Sequence, residues 1–277
     1  MKRASATILF SALLCLAAST PAPGDQALRA GFLPVSPAAQ LAARFTPLLD
    51  HLSEKTGHRF DFVTAPSFPV FMERAARGEY DLIWVPPHFA RQANLETGYE
   101  PLAAGGRKLA GVILSRRDGP ASARDVRNKT VALVDPEALV TILVLSRLED
   151  EGLRPGRDYR VRYFQNHPSA MEAVRRGAAD VAGVSDVYFQ AERGRAAAEL
   201  IEIERTMEAP GMVFLANPRL PDPTRQRIKE ALLSMGGSPE AKIALERAKM
   251  GLLVPIPASD LKKMDKIIQR MKSSPGR

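Results

Sequence analysis

Side chains able to do chemistry are few in this sequence and widely spaced. Four histidines occur, His51, His58, His88 and His167, and an imidazole can ligate a metal, move a proton or donate to an anion. None has a second histidine or an acid at metal-site spacing, so no metal is expected. Asp135 and Glu137 come nearest to a catalytic carboxylate pair, but an Asp-Pro turn opening a helix explains both. There is no Gly-x-Ser-x-Gly elbow, glycine-rich phosphate loop or His-Glu-x-x-His pair. No catalytic residue or cofactor is therefore assigned, and what remains is the chemistry of binding. Ser36 and Ser67 offer hydroxyls, although both also suit turns or helix caps. Phe68 and Trp84 offer flat apolar faces, although a tryptophan ending a buried strand fits a core equally well. His88, Thr141, His167, Ser185 and Asp186 complete the expected ligand set.

These residues are grouped by the elements that must carry them. With 277 residues, 45% hydrophobic and 25% charged, the chain has the make-up of a soluble globule. Short apolar runs alternate with amphipathic stretches, the pattern of an α/β protein with a largely parallel sheet. Strands are predicted at 28–33, 59–64, 80–85, 110–115, 130–134, 159–164, 180–184 and 212–216. Helices are predicted at 40–55, where Leu41, Phe45, Leu48, Leu49 and Leu52 recur at helical spacing before Gly57, and at 139–151, before Gly152. Two segments 99 residues apart repeat: Met72-Glu73, Arg77-Gly78 and Asp81 match Met171-Glu172, Arg176-Gly177 and Asp180, each followed by an apolar run. Each reads as a helix stopped by glycine, a tight turn and a buried strand, so the chain is expected to form two similar lobes. Ligands of open α/β sheets bind beyond the strands' carboxyl ends. The residues named above fall on post-strand loops or helix starts, and a cleft between facing lobes would gather them.

The amino terminus reads as an export signal over 1–24: Lys2-Arg3, an apolar stretch at 8–18, then small and turn-forming residues to Gly24. Eleven residues are too few to span a bilayer, which needs about 20. Cys15 is the only cysteine and lies inside this segment, so cleavage between 20 and 27 leaves a chain without thiols, for which no disulfide is expected. Lipidation at Cys15 is disfavoured because Leu14 precedes it, where a small residue is usual. The formal charge of +8 falls to +6 once Lys2 and Arg3 are removed. The basic residues are scattered among acids, which suits a solvated surface, and no nucleic-acid motif accompanies them. No nucleic-acid partner is expected, and a monomer is.

Four segments in order, Leu28-Arg-Ala-Gly-Phe-Leu-Pro34, Leu48-Leu-Asp-His-Leu-Ser-Glu-Lys-Thr-Gly57, Arg77-Gly-Glu-Tyr-Asp-Leu-Ile-Trp84 and Val131-Ala-Leu-Val-Asp-Pro136, give the sequence a family likeness. It resembles the phosphate/phosphite/phosphonate-type substrate-binding proteins of ABC transporters. The resemblance implies the two-lobed type II periplasmic-binding-protein fold with two hinge crossings. The lobes are then expected at 25–113 plus 210–277 and at 114–209. It also implies a periplasmic solute-binding protein that captures a small polar anion, phosphonate-like or an organic anion, and presents it to a membrane ABC permease. The alternative is a periplasmic sensory adaptor that reports the ligand to a membrane sensor kinase. Family members commonly follow the Asp-Pro with a Ser-Thr-Ser-Gly-like turn that cradles the phosphonate. Here Glu137-Ala-Leu-Val-Thr141 follows, so an organic anion with an apolar part, or a zwitterion, is also open. Helices predicted at 221–235, 239–250 and 259–271 end the chain. The last carries Leu261, Met264, Ile268 and Met271 on one face and is expected to pack on the first lobe.

Overall fold

The computed structural model describes residues 27–191 and 199–273. The export signal, with Cys15, lies outside them. Strands β1 (Leu28–Phe32), β2 (Phe60–Val63), β3 (Leu82–Val85), β4 (Glu100–Gly105), β10 (Val213–Ala216) and β11 (Leu253–Val254) form one sheet in the order β11-β4-β10-β3-β1-β2. Strands β5 (Gly111–Arg116), β6 (Thr130–Leu133), β7 (Arg160–Tyr163), β8 (Val181–Ser185) and β9 (Leu200–Arg205) form a second, in the order β7-β6-β8-β5-β9. In the first, β1 runs parallel between β2 and β3, and β10 joins β3 antiparallel. In the second, β6 runs parallel between β7 and β8, and β5 joins β8 antiparallel. The two sheets are copies of one plan.

Each sheet is buried on both faces because successive residues of its central strands are apolar, as in Leu82–Val85 and Val213–Ala216. On one face of the first, Phe32, Trp84 and Phe214 pack under helix α1 (Ala38–Thr56) through its buried Phe45, Leu48 and Leu52. On the other, Leu33, Ile83 and Val213 meet helices α2 (Phe68–Ala76) and α3 (Pro87–Thr97). The second sheet is covered by α4 (Leu139–Asp150) on one face and α5 (His167–Arg175) on the other. Helix α6 (Asp186–Ala191) follows β8.

The repeat read in the sequence has one copy in each sheet. Gly78 and Gly177 both take left-handed φ, +71° and +72°, closing α2 and α5. Asp81 accepts a hydrogen bond from the Arg29 amide at 2.7 Å, and Asp180 from the Thr130 amide at 2.7 Å. Each carboxylate thus fixes the start of the neighbouring parallel strand.

The chain passes between the sheets twice, in 106–110 and 206–212. The first crossing precedes Gly111, so the changeover expected at 113/114 falls inside β5, which lies wholly in the second sheet. Leu109 and Ala209 exchange backbone hydrogen bonds of 3.0 and 2.8 Å, so the two crossings lie side by side. After β10 come α7 (Asp222–Ser234), α8 (Pro239–Arg247), α9 (Ala258–Lys262) and α10 (Met264–Ser273). The single terminal helix expected on the first lobe is two helices. Helix α9 does pack on α3, but α10 touches both α3 and α4, one from each half of the molecule. The apolar face of α10 is wide enough for both because Met264 and Ile267 are buried along with Ile268.

Candidate functional site

Strand ends and the helices that follow the strands bring three groups of side chains to the seam between the halves. The first surrounds Trp84, whose indole packs on Phe45 with ring centroids 4.7 Å apart and is 3% exposed. Among the described residues its Nε1 has no hydrogen-bond partner. The Arg44 guanidinium, one residue from Phe45 on α1, lies 5.8 Å from the centre of the Trp84 ring. Arg44 donates from Nε to the Ala248 carbonyl at 2.7 Å, and Nη2 donates to the same oxygen. Among the described residues no carboxylate pairs with it and its Nη1 makes no hydrogen bond. Burial holds its pKa below the ordinary value, opposed by Tyr188 of the other half.

The second group is on that other half. His167 opens α5 and stacks against Tyr188, ring centroids 4.4 Å apart. Its Nδ1 faces the Ser185 amide at 3.5 Å. Burial lowers its pKa to about 4, so the ring is neutral near pH 7. Tyr188 is half exposed on α6.

The third group joins the halves directly. Pro87 and His88 are not loop residues but the first turn of α3, where proline is tolerated because that N–H has no helical partner. His88 is 1% exposed, and among the described residues neither ring nitrogen has a hydrogen-bond partner. Its pKa falls to about 3, driven by burial and weakly opposed by the Glu137 backbone of the second half. A pocket of about 290 Å³ beside it is lined by Phe68, Met72, Phe89, Glu137, Ile268 and Met271. Phe68 and Phe89 meet edge to face at 6.2 Å. Burial, then Asp135, raises the pKa of Glu137.

Of the nine expected ligand residues, Phe68, Trp84, His88 and His167 lie in these groups, and Ser36 is half-buried in the loop from β1 to α1. Ser67 caps α2, accepting from the Val70 amide at 3.4 Å. Thr141 is fully buried and donates to the Val134 carbonyl at 3.3 Å. The Ser185 hydroxyl accepts from the Val187 amide at 3.3 Å. Asp186 accepts from the Ala110 amide at 3.1 Å and pairs with Arg205 at 3.4 Å, which ties it to a crossing strand. The sequence reading missed Arg44, Tyr188 and Phe89. His51 and His58 lie on and just after α1. Among the described residues no group of three or more His, Cys, Asp or Glu side chains is placed to hold a metal, and no helix is long and apolar enough to cross a membrane.

Solved structures share this architecture. XAC2383 from Xanthomonas citri, bound to ATP, is 20% identical with a TM-score of 0.78, covering 90% of this chain and 99% of its own. PhnD1 from Prochlorococcus marinus, in complex with methylphosphonate, is 13% identical with a TM-score of 0.74 over 90% and 99% of the two chains. The aliphatic sulphonate binding protein SsuA from Escherichia coli is 18% identical with a TM-score of 0.58 over 91% and 94%. The fold is therefore the two-lobed one of periplasmic binding proteins. The family model described as "ABC transporter, phosphonate, periplasmic substrate-binding protein" matches residues 30–261. Its members are the solute-binding components of importers, which favours import over the sensory adaptor. The chain belongs to this family of phosphonate-type periplasmic substrate-binding proteins of ABC transporters.

Proposed function

We propose that this protein closes two lobes, 27–110 with 207–273 and 111–206, around a small anion and presents it in that closed form to its membrane permease. The ligand is a phosphonate or organic oxyanion carrying an apolar part. Arg44 is the observation that carries the reading: among the described residues it is a half-buried cation with no carboxylate beside it, and Tyr188 of the other half is near enough to act on it electrostatically. An unpaired cation held partly out of water is costly, and an oxyanion would relieve that cost through the free Nη1 edge. Tyr188 and neutral His167 would supply donors from the second lobe, so a bound anion would hold the two lobes together. Trp84 and Phe45 form the apolar floor beneath the guanidinium. The relatives solved with methylphosphonate and ATP were bound to phosphorus oxyanions, which agrees with this class.

The test uses the single tryptophan of the chain. Titration with methylphosphonate, phosphite, phosphate and small alkanesulfonates is followed by Trp84 emission and by calorimetry. At least one of these anions is expected to bind and to shift the emission, and Arg44→Ala is expected to move both titrations to roughly 10- to 100-fold higher anion concentration. Binding that is unaffected by Arg44→Ala would show that the anion is held elsewhere.

A further inference from the structure

Helix α10 touches both halves of the molecule through separate sets of contacts. Towards α3 of the first half, Asp265 takes a two-pronged ion pair from Arg91, Nε to Oδ1 at 2.6 Å and Nη2 to Oδ2 at 3.1 Å. The hydrogen bond from Arg91 holds the Asp265 carboxyl below its ordinary pKa. Towards α4 of the second half, Arg270 reaches Asp150 at 2.7 Å, Glu149 at 3.2 Å and the Ser146 carbonyl at 2.8 Å. Lys266 adds a contact to Asp150 at 3.1 Å. Between the two sets, Met264, Ile267 and Ile268 are buried against Leu139, Ile142 and Leu143 of α4 and Ala209 of the second crossing.

We propose that α10 is a releasable clasp that favours the closed arrangement of the lobes before any ligand is bound. Three observations carry the assignment. First, α10 is bound to both lobes in an arrangement where Glu137 of the second half lines one pocket with Phe68, Met72 and Phe89 of the first, so the lobes meet there and the arrangement is closed. Second, Ile268 and Met271 line the pocket that Phe68 and Phe89 share with Glu137. Opening the lobes moves Phe68 and Phe89 away from Glu137 and so draws α4 away from α3, and a helix fixed to both must let one go. Third, the two attachments differ. Helix α10 follows α9 after one residue, and Leu261 of α9 is buried in the first half, so that end is anchored by the chain itself. The α4 attachment is made by side chains alone and is the one that releases. The two covalent crossings set the hinge, and α10 biases it by binding one of its states better than the other.

The clasp rests on the lobe assignment above but not on the identity of the ligand. It is tested by small-angle scattering of the ligand-free protein. Arg270→Glu and Asp150→Arg are each expected to raise the radius of gyration, as a hinge opening does, while far-UV circular dichroism stays unchanged. Combining the two reverses both charges and is expected to restore the compact profile at least in part. Single variants that scatter like the unaltered protein, or a double variant as expanded as its parents, would overturn the proposal. Failure of every anion to bind would overturn the ligand reading and leave this result standing.

Discussion

Arg44 and the two seam histidines carry the residue-scale predictions, for opposite reasons: one must stay charged and the others must stay neutral. A hydrogen bond to a charged group contributes roughly 1.5–3 kcal/mol, so Arg44→Ala is expected to weaken anion binding by roughly 10- to 100-fold, read by calorimetry. Arg44→Lys should recover little, because an ammonium cannot hold Ala248 and an oxyanion with one fixed fork. His88 and His167 have folded pKa values lowered from 6.5 to about 3 and about 4. Above 6.5 each is neutral both folded and unfolded, so neither makes stability depend on pH. As pH falls below 6.5 the unfolded chain takes up protons that the folded one refuses, and stability drops until the folded pKa values are reached. His88→Leu is therefore expected to reduce the slope of unfolding free energy between pH 6 and 4 by about 1.4 kcal/mol per pH unit. Urea melts at several pH values measure it, and an unchanged slope would mean that His88 titrates freely. The rule that ligands gather beyond strand ends pointed to His88, Phe68 and His167 from sequence, and the fold brings all three to the seam. It could not find Arg44, which is one polar position of an amphipathic helix until Ala248, 204 residues away, and Tyr188 are folded against it. It also named Thr141 and Asp186, whose polar atoms are engaged by Val134 and Ala110.

At the scale of elements, the repeated helix, glycine turn and aspartate do the positioning. Asp180→Ala leaves the partly buried Thr130 amide without its 2.7 Å acceptor, which costs about 1 kcal/mol, the low end for an unsatisfied donor. Asp81→Ala should cost more, because Asp81 also receives Arg219 at 2.9 Å. Urea denaturation of both variants measures the difference, and equal losses would remove the extra role of Arg219. This device was legible in the sequence because its spacing is local, with helix end, glycine and aspartate falling close together in the chain, even though each aspartate's partner lies 50 or more residues away. Elements whose signal is non-local were missed. Strand β4 contains Pro101, which argues against a strand, and it survives where its ladder to β10 slips register. Strand β11 has only Leu253 and Val254. Helix α3 opens on Pro87, which reads as a breaker in sequence but is a permitted first helical residue. Strand β9 is different, since Ile201 and Ile203 alternate with Glu202 and Glu204 and the period of two was there to be read.

At the scale of the whole molecule, the quantity that matters is how the two lobes are set against each other, and the crossings fix it. They run in contact, and Gly211 is the tightest point: a Cβ there would lie 2.5 Å from the Gly105 carbonyl oxygen and 2.9 Å from that of Arg107. Both obstacles are backbone, so Gly211→Ala cannot be absorbed by a rotamer change and must push the crossings apart. Gly57 provides the comparison. It takes a left-handed φ of +72° at the end of α1, and a Cβ there meets nothing within 4 Å. Gly57→Ala therefore costs backbone strain of roughly 1–2 kcal/mol without moving one lobe relative to the other. If ligand is held by groups from both lobes, displacing the crossings should harm binding far more than strain at a remote helix end. Gly211→Ala is expected to weaken anion binding at least about tenfold, a loss of about 1.4 kcal/mol, while Gly57→Ala lowers the melting temperature and leaves the affinity unchanged. Calorimetric titration of both variants, each checked by thermal melting, decides the matter. A Gly211→Ala protein that binds as tightly as the unaltered one would mean that the site draws its affinity from one lobe alone.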